Sequence, residues 1–226
     1  MTIILVSAPP AYEITFRQEK GDDVRRISLF AACFAMACCK CLSQACDHSR
    51  INSAESAIQV LERLAPTTDD SDEKQCIKGA IGVTSMLHSV SAIPQLIRYL
   101  SFKRDKESWE SSTVKLRPTI EGNDYPALVA LAGLGEQARV ALVQTIESEK
   151  SSSTELNNAA HAIELSFVYE PERVPWKGIL YLRSAETGAS PGTQERLERA
   201  VSYILTTDSC SRFSTKCADA SQSTPR

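Results

Sequence analysis

Three histidines and eight cysteines are the residues of this 226-residue chain with the most obvious capacity for metal or nucleophilic chemistry. His161 and Glu164 stand in the i, i+3 relation, which puts two side chains on one helix face and can hold a metal ion. His48 and His88 lie elsewhere, and no histidine belongs to an H-E-x-x-H set. No G-x-S-x-G, Walker loop or dinucleotide-binding glycine fingerprint occurs. Asp69, Asp70 and Asp72 lack the glycine and distal glutamate of an EF-hand and read as a solvated loop that supplies helix caps. No catalytic, cofactor-binding or metal residue is therefore expected. The competing reading is a helical enzyme or metal protein with a site assembled from His161, Glu164 and the cysteines.

Five cysteines, Cys33, Cys38, Cys39, Cys41 and Cys46, crowd into one short stretch. Arg25 and Arg26 precede an uncharged apolar run, Ile27 to Cys39, and Ser43 and Ala45 supply small residues before Cys46. A basic region, a short apolar region and a small-residue cleavage site are the parts of a secretory signal. The run is too short to span a bilayer core of roughly 30 Å at about 1.5 Å per residue. Residues 24–45 are thus read as a signal peptide or hydrophobic anchor, and residues 1–23 as unstructured or not translated, with synthesis starting near Val24. The protein is then exported, periplasmic or extracellular. If 27–39 is instead a buried core helix, it is cytoplasmic. Cys46 is a candidate for lipidation, although Leu42 stands one place too early for a bacterial lipobox. A Cys-Cys-x-Cys metal site finds no second pair to complete a tetrahedral set.

Composition fits a soluble globular chain, with 42% hydrophobic and 23% charged residues. A net charge of -3 gives nucleic acid no electrostatic reason to bind. Nine glycines and only 6% aromatic residues favour helices over sheets.

The elements that would position any site follow a helical period. Ser53 opens a segment carrying Ala57, Ile58, Leu61 and Leu64, closed by Pro66. A helix over 73–88 carries Ile77, Ala80, Ile81 and Thr84. Residues 92–102 place Ile93, Leu96, Ile97 and Leu100 on one face. A polar insertion, 103–117, follows. Residues 125–146 read as two amphipathic helices folded at Gly133-Leu134-Gly135, with Asn123-Asp124 as cap, Pro126 in the first turn and glycines able to turn left-handed. Helices over 153–168, from Val174-Pro175 through Leu180, and over 193–205 complete the set. Arg183 sits where an apolar residue is expected, and Gly178 weakens its helix. Residues 206–226 have no periodicity and are expected to be disordered, with Cys210 and Cys217 close enough for a disulfide in an exported protein.

The second helices of two pairs align without a gap: Ala92 on Ala138, Leu96 on Leu142, Ile97 on Val143 and Leu100 on Ile146, an offset of 46 residues. Ala130 to Gly135 resembles the A-L-G-x-I-G turn of HEAT-like (PBS-lyase-type) helical repeats. Ala138 to Ile146 resembles their A-x-P-A-L-I-x-x-L second helix. Val140 stands at the usual Pro, but Pro94 holds that place in the earlier pair. The resemblance is clearest at 125–146 and 86–100. It implies an all-α fold, a short right-handed α-solenoid of antiparallel helix pairs over 53–205. An irregular α-helical bundle is the alternative.

A repeat stack offers a continuous surface, which implies a protein-interaction or scaffolding module of the cell envelope. The outward residues of the second helices are expected to be Gln95, Arg98, Tyr99, Arg139, Gln144, Lys177 and Tyr181, types that recur in protein interfaces. The expected partner is another protein, with no nucleic acid, no cofactor, no transmembrane span in the mature chain, and a lipid anchor only if Cys46 is acylated.

Overall fold

The computed structural model describes residues 50–104 and 124–223. The readings of 1–23, of the signal or anchor 24–45, of Cys46 and of the insertion beyond Arg104 fall outside these residues. Among the described residues every regular element is helical.

Local sequence sets most helix starts. α1, Ala54–Arg63, begins with a capping box in which the Ser53 and Ser56 side chains satisfy each other's backbone N–H groups. α2, Ser71–Met86, is capped by Asp70, whose Oδ1 accepts from the backbone of Asp72 and Glu73 at 2.8 and 3.0 Å. A 3-10 turn, Val90–Ala92, leads into the short α3, Ile93–Arg98.

α4, Pro126–Gly133, and α5, Glu136–Glu147, follow. Asp124 does not cap α4: Tyr125 holds the N-cap position and makes no side-chain cap bond. Nor is α4 amphipathic. Ala127, Leu128, Ala130, Leu131 and Ala132 are all buried, as in a helix surrounded by its neighbours. Of the two turn glycines only Gly135 has positive φ, +60°, while Gly133 stays helical. α4 and α5 do not pack chiefly on each other; each lies along α6, Ser153–Val168.

α6 is the centre of the described fold, packing against α4, α5, α7 (Trp176–Ala185) and α8 (Pro191–Leu205). Its capping box, Ser152 with Glu155, fixes its start, and Leu156, Ala159, Ala160, Ala162, Ile163, Leu165 and Phe167 are buried. Fully burying a leucine or isoleucine contributes roughly 1.5–3 kcal/mol, so this helix carries a large share of the core. α7 crosses it closely: a Cβ on Gly178 would lie 3.0 Å from the Glu164 Cα. Gly178 is thus a packing position, whatever it costs in helix propensity.

The tail expected to be disordered is helical: α9, Asp208–Ser211, and α10, Ser214–Ser221, pack back onto α8 and, in the case of α10, onto α7. Cys210 and Cys217 are buried and joined by a disulfide, and Phe213 packs on Trp176 at 5.5 Å between ring centroids. A short-range cross-link and the Phe213–Trp176 contact hold a segment in which Ser and Thr obscure any helical period.

Candidate functional site

Buried polar residues on α6 tie it to other elements. Asn158 Nδ2 donates to the Leu100 carbonyl at 2.6 Å, just beyond α3. Ser166 Oγ accepts from Arg139 Nε of α5 at 2.9 Å. Glu164 Oε1 accepts from the Thr207 hydroxyl at 2.7 Å, and the same hydroxyl accepts from the Cys210 N–H. Buried polar groups are costly unless paired, so each bond favours this one arrangement of helices.

His161 and Glu164 come together, with His161 Nε2 3.9 Å from Glu164 Oε2, too far for a hydrogen bond. Burial lowers the imidazole to about 4 and raises the Glu164 carboxyl to about 7, the latter opposed by the Thr207 bond. Glu164 Oε2 has no hydrogen-bond partner. His161 borders a recess of about 300 Å³ lined by Asp124, Tyr125, Thr154, Asn157, Asn158 and Tyr203. At neutral pH the imidazole is therefore uncharged and only the Glu164 carboxyl is near its titration range, with no hydrogen bond to carry a proton between the two. Among the described residues His161 makes no hydrogen bond to a hydroxyl or thiol that it could activate. No group of three His, Cys, Asp or Glu among them could hold a metal.

Two of the seven residues expected on the outward strip are buried. The Tyr99 hydroxyl donates to the Leu61 and Leu64 carbonyls at 3.0 and 2.7 Å, and burial pushes its pKa up to about 12. It closes the C-terminal end of α1, where helix carbonyls lack intrahelical partners. Arg139 lies with its guanidinium carbon 3.6 Å from the Phe167 ring centroid and is ion-paired with Glu170. Both look outward on a helical wheel, but each has a long side chain with a polar tip that reaches a partner across the helix interface.

The others are distributed. Gln95 Nε2 donates to Glu62 at 2.9 Å, Lys177 pairs with Glu172, and Tyr181 packs on Phe167. Only Arg98 and Gln144 come together, in a groove of about 570 Å³ between α3 and α5. Ile93, Pro94, Ile97 and Ala141 form its apolar part, and Lys150, Ser151 and Glu155 border it. Lys150 escaped the sequence reading because it stands beyond the α5 helix, where periodicity says nothing about direction.

The groove walls are fixed from behind. Arg196 of α8 donates to the Ile146 carbonyl at 2.6 Å and the Ser151 carbonyl at 3.3 Å. The Ser151 hydroxyl donates to the Thr145 carbonyl and the Thr145 hydroxyl to the Ala141 carbonyl. A site held in this way loses little conformational entropy on binding.

All three described cysteines, Cys76, Cys210 and Cys217, are disulfide-bonded. No described helix is long and apolar enough to cross a membrane. Comparison with known proteins finds no matching family model, no similar curated protein and no similar solved structure.

Proposed function

We propose that the chain is a non-catalytic protein-interaction or scaffolding module of the cell envelope or exported space. In this reading it is a short right-handed stack of HEAT-like helix pairs that binds another protein through the groove between α3 and α5. The observation that carries the reading is the groove itself: an apolar floor with exposed Arg98 and Gln144 at its edge and walls braced by Arg196. Concave apolar surfaces with a few polar groups at the rim are what partner segments use. Export is supported by the oxidised state of the described cysteines, since disulfides persist in oxidising compartments.

Site-specific photo-crosslinking tests this. The full chain with p-benzoylphenylalanine in place of Gln144, irradiated in envelope extract of the source cells, is expected to give a discrete protein adduct. The same group in place of Glu198, exposed on α8 and outside the groove, is expected to give none. No adduct from position 144, or identical adducts from both positions, would refute the groove as the binding face.

A further inference from the structure

We infer that the groove takes an acidic peptide segment, with one aliphatic side chain seated against Ile93, Ile97 and Ala141 and its carboxylates held by Arg98 and Lys150. This rests on the interaction reading above and names the chemistry of the partner.

The groove sets unmatched positive charge beside an apolar floor. Arg98 and Lys150 are exposed at the groove, and neither side chain has a hydrogen bond or ion pair among the described residues. The carboxylate at the groove is already engaged: Glu155 Oε2 accepts from the Ser152 N–H at 2.8 Å and its hydroxyl at 2.9 Å, at the N-terminus of α6. Helix N-termini stabilise such a negative charge where it stands. The hydroxyls of Thr145 and Ser151 donate to backbone carbonyls, whereas the Gln144 amide and the Ser148 hydroxyl, which accepts from the Lys150 N–H at 3.3 Å, keep donors to offer. The groove thus presents two available cations, these uncharged donors and an apolar floor. Carboxylates beside an aliphatic side chain complement all three.

Other polyanions fit less well. A nucleic acid wants many phosphate contacts and aromatic faces for its bases, and the groove lining supplies two cations and no aromatic ring. A membrane surface presents headgroups in a plane and has no single aliphatic side chain to seat against Ile93, Ile97 and Ala141.

Peptide display on the full chain, with immobilised random decapeptides as the probe, tests the assignment. The expected selection is enriched in sequences that place Asp or Glu within a few residues of Leu, Ile or Val. For a selected peptide, the double variant Arg98→Glu, Lys150→Glu is expected to weaken Kd by at least about tenfold. Raising salt to about 0.5 M is expected to weaken it as well. Lys177→Glu, a basic residue outside the groove, is expected to leave Kd within about twofold. Arg98→Gln, which removes charge without adding repulsion, is expected to give a smaller loss in the same direction and serves if the double variant melts early. Aliphatic peptides without carboxylates, still blocked by Gln144→Trp, would overturn the acidic assignment and leave the groove reading standing. No selected peptide, or peptides indifferent to Gln144→Trp, would overturn both. Binding only to vesicles of anionic phospholipid, lost in the double variant, would replace the peptide with a lipid headgroup.

Discussion

Glu164 has its side chain fully buried, with one oxygen bonded to Thr207 and the other unpaired, so its charge state sets a pH dependence that can be measured. Its carboxyl is raised from 4.5 to about 7 by burial. Below pH 4.5 it is protonated in the folded and unfolded chain alike and costs nothing. Between 4.5 and about 7 the folded chain keeps a proton that the unfolded chain releases, so stability falls as pH rises; above that window the loss is constant, about 3 kcal/mol. His161 acts in the opposite sense. Its pKa is lowered from 6.5 to about 4, so the unfolded chain binds the extra proton in that window and stability rises with pH. The two slopes nearly cancel between pH 4.5 and 6.5. Glu164→Gln keeps an acceptor for Thr207 and removes only the falling limb. Urea unfolding is expected to show the variant gaining about 3 kcal/mol over wild type on going from pH 4 to pH 8. An equal difference at both pH values would mean that the Glu164 carboxyl is not held above its ordinary value.

At the scale of elements, the crossing of α6 and α7 decides between two effects of one methyl group. Alanine in a helix interior is favoured over glycine by about 1 kcal/mol. At Gly178, however, a Cβ would meet the Glu164 Cα at 3.0 Å and its backbone N at 3.3 Å, and neither belongs to a side chain that can turn aside. Overpacking of this kind costs roughly 1–3 kcal/mol, so Gly178→Ala is expected to destabilise despite the better propensity. A thermal midpoint equal to or above wild type would show that the helices can part without cost. The same crossing marks what sequence could not disclose. The capping box at Ser53 and the stripe Ala138, Leu142, Val143, Ile146 are local patterns, and they are legible. Gly178, Tyr99 and Arg139 owe their roles to partners 14, 38 and 27 residues away in Glu164, Leu61 and Ser166. A wheel drawn from one helix contains no information about those partners. Of the expected strip, Arg98 and Gln144 remain at one groove because they are exposed where two helices meet, while Gln95, Lys177 and Tyr181 are engaged elsewhere.

For the whole of the described fold, the polar ties on α6 make a prediction about cooperativity. In an ideal repeat array each unit touches only its neighbours, so stability is a sum of local terms and the ends open first. Here Asn158 reaches past α4 and α5 to the Leu100 carbonyl, and Glu164 holds Thr207 beyond α8. Both bonds lie in the interior, where losing a partner leaves a polar group unsatisfied at about 1–3 kcal/mol. Opening the α1–α3 end therefore strands Asn158, and opening the α9–α10 end strands Glu164. Either loss loosens α6, against which α4, α5, α7 and α8 all pack. Unfolding is expected to be one transition, with far-UV circular dichroism and tryptophan fluorescence coincident in urea. Native-state hydrogen exchange should find its slowest amides in α6, between Leu156 and Phe167, and give α2 and α8 nearly the same opening free energy. An early, separate release of either end would show that the units are independent and that the long-range bonds of α6 contribute little. In Asn158→Ala the Leu100 tie is gone, so the α2 amides are expected to exchange faster than those of α8. Equal acceleration at both ends would place the coupling in the apolar core rather than in the polar ties.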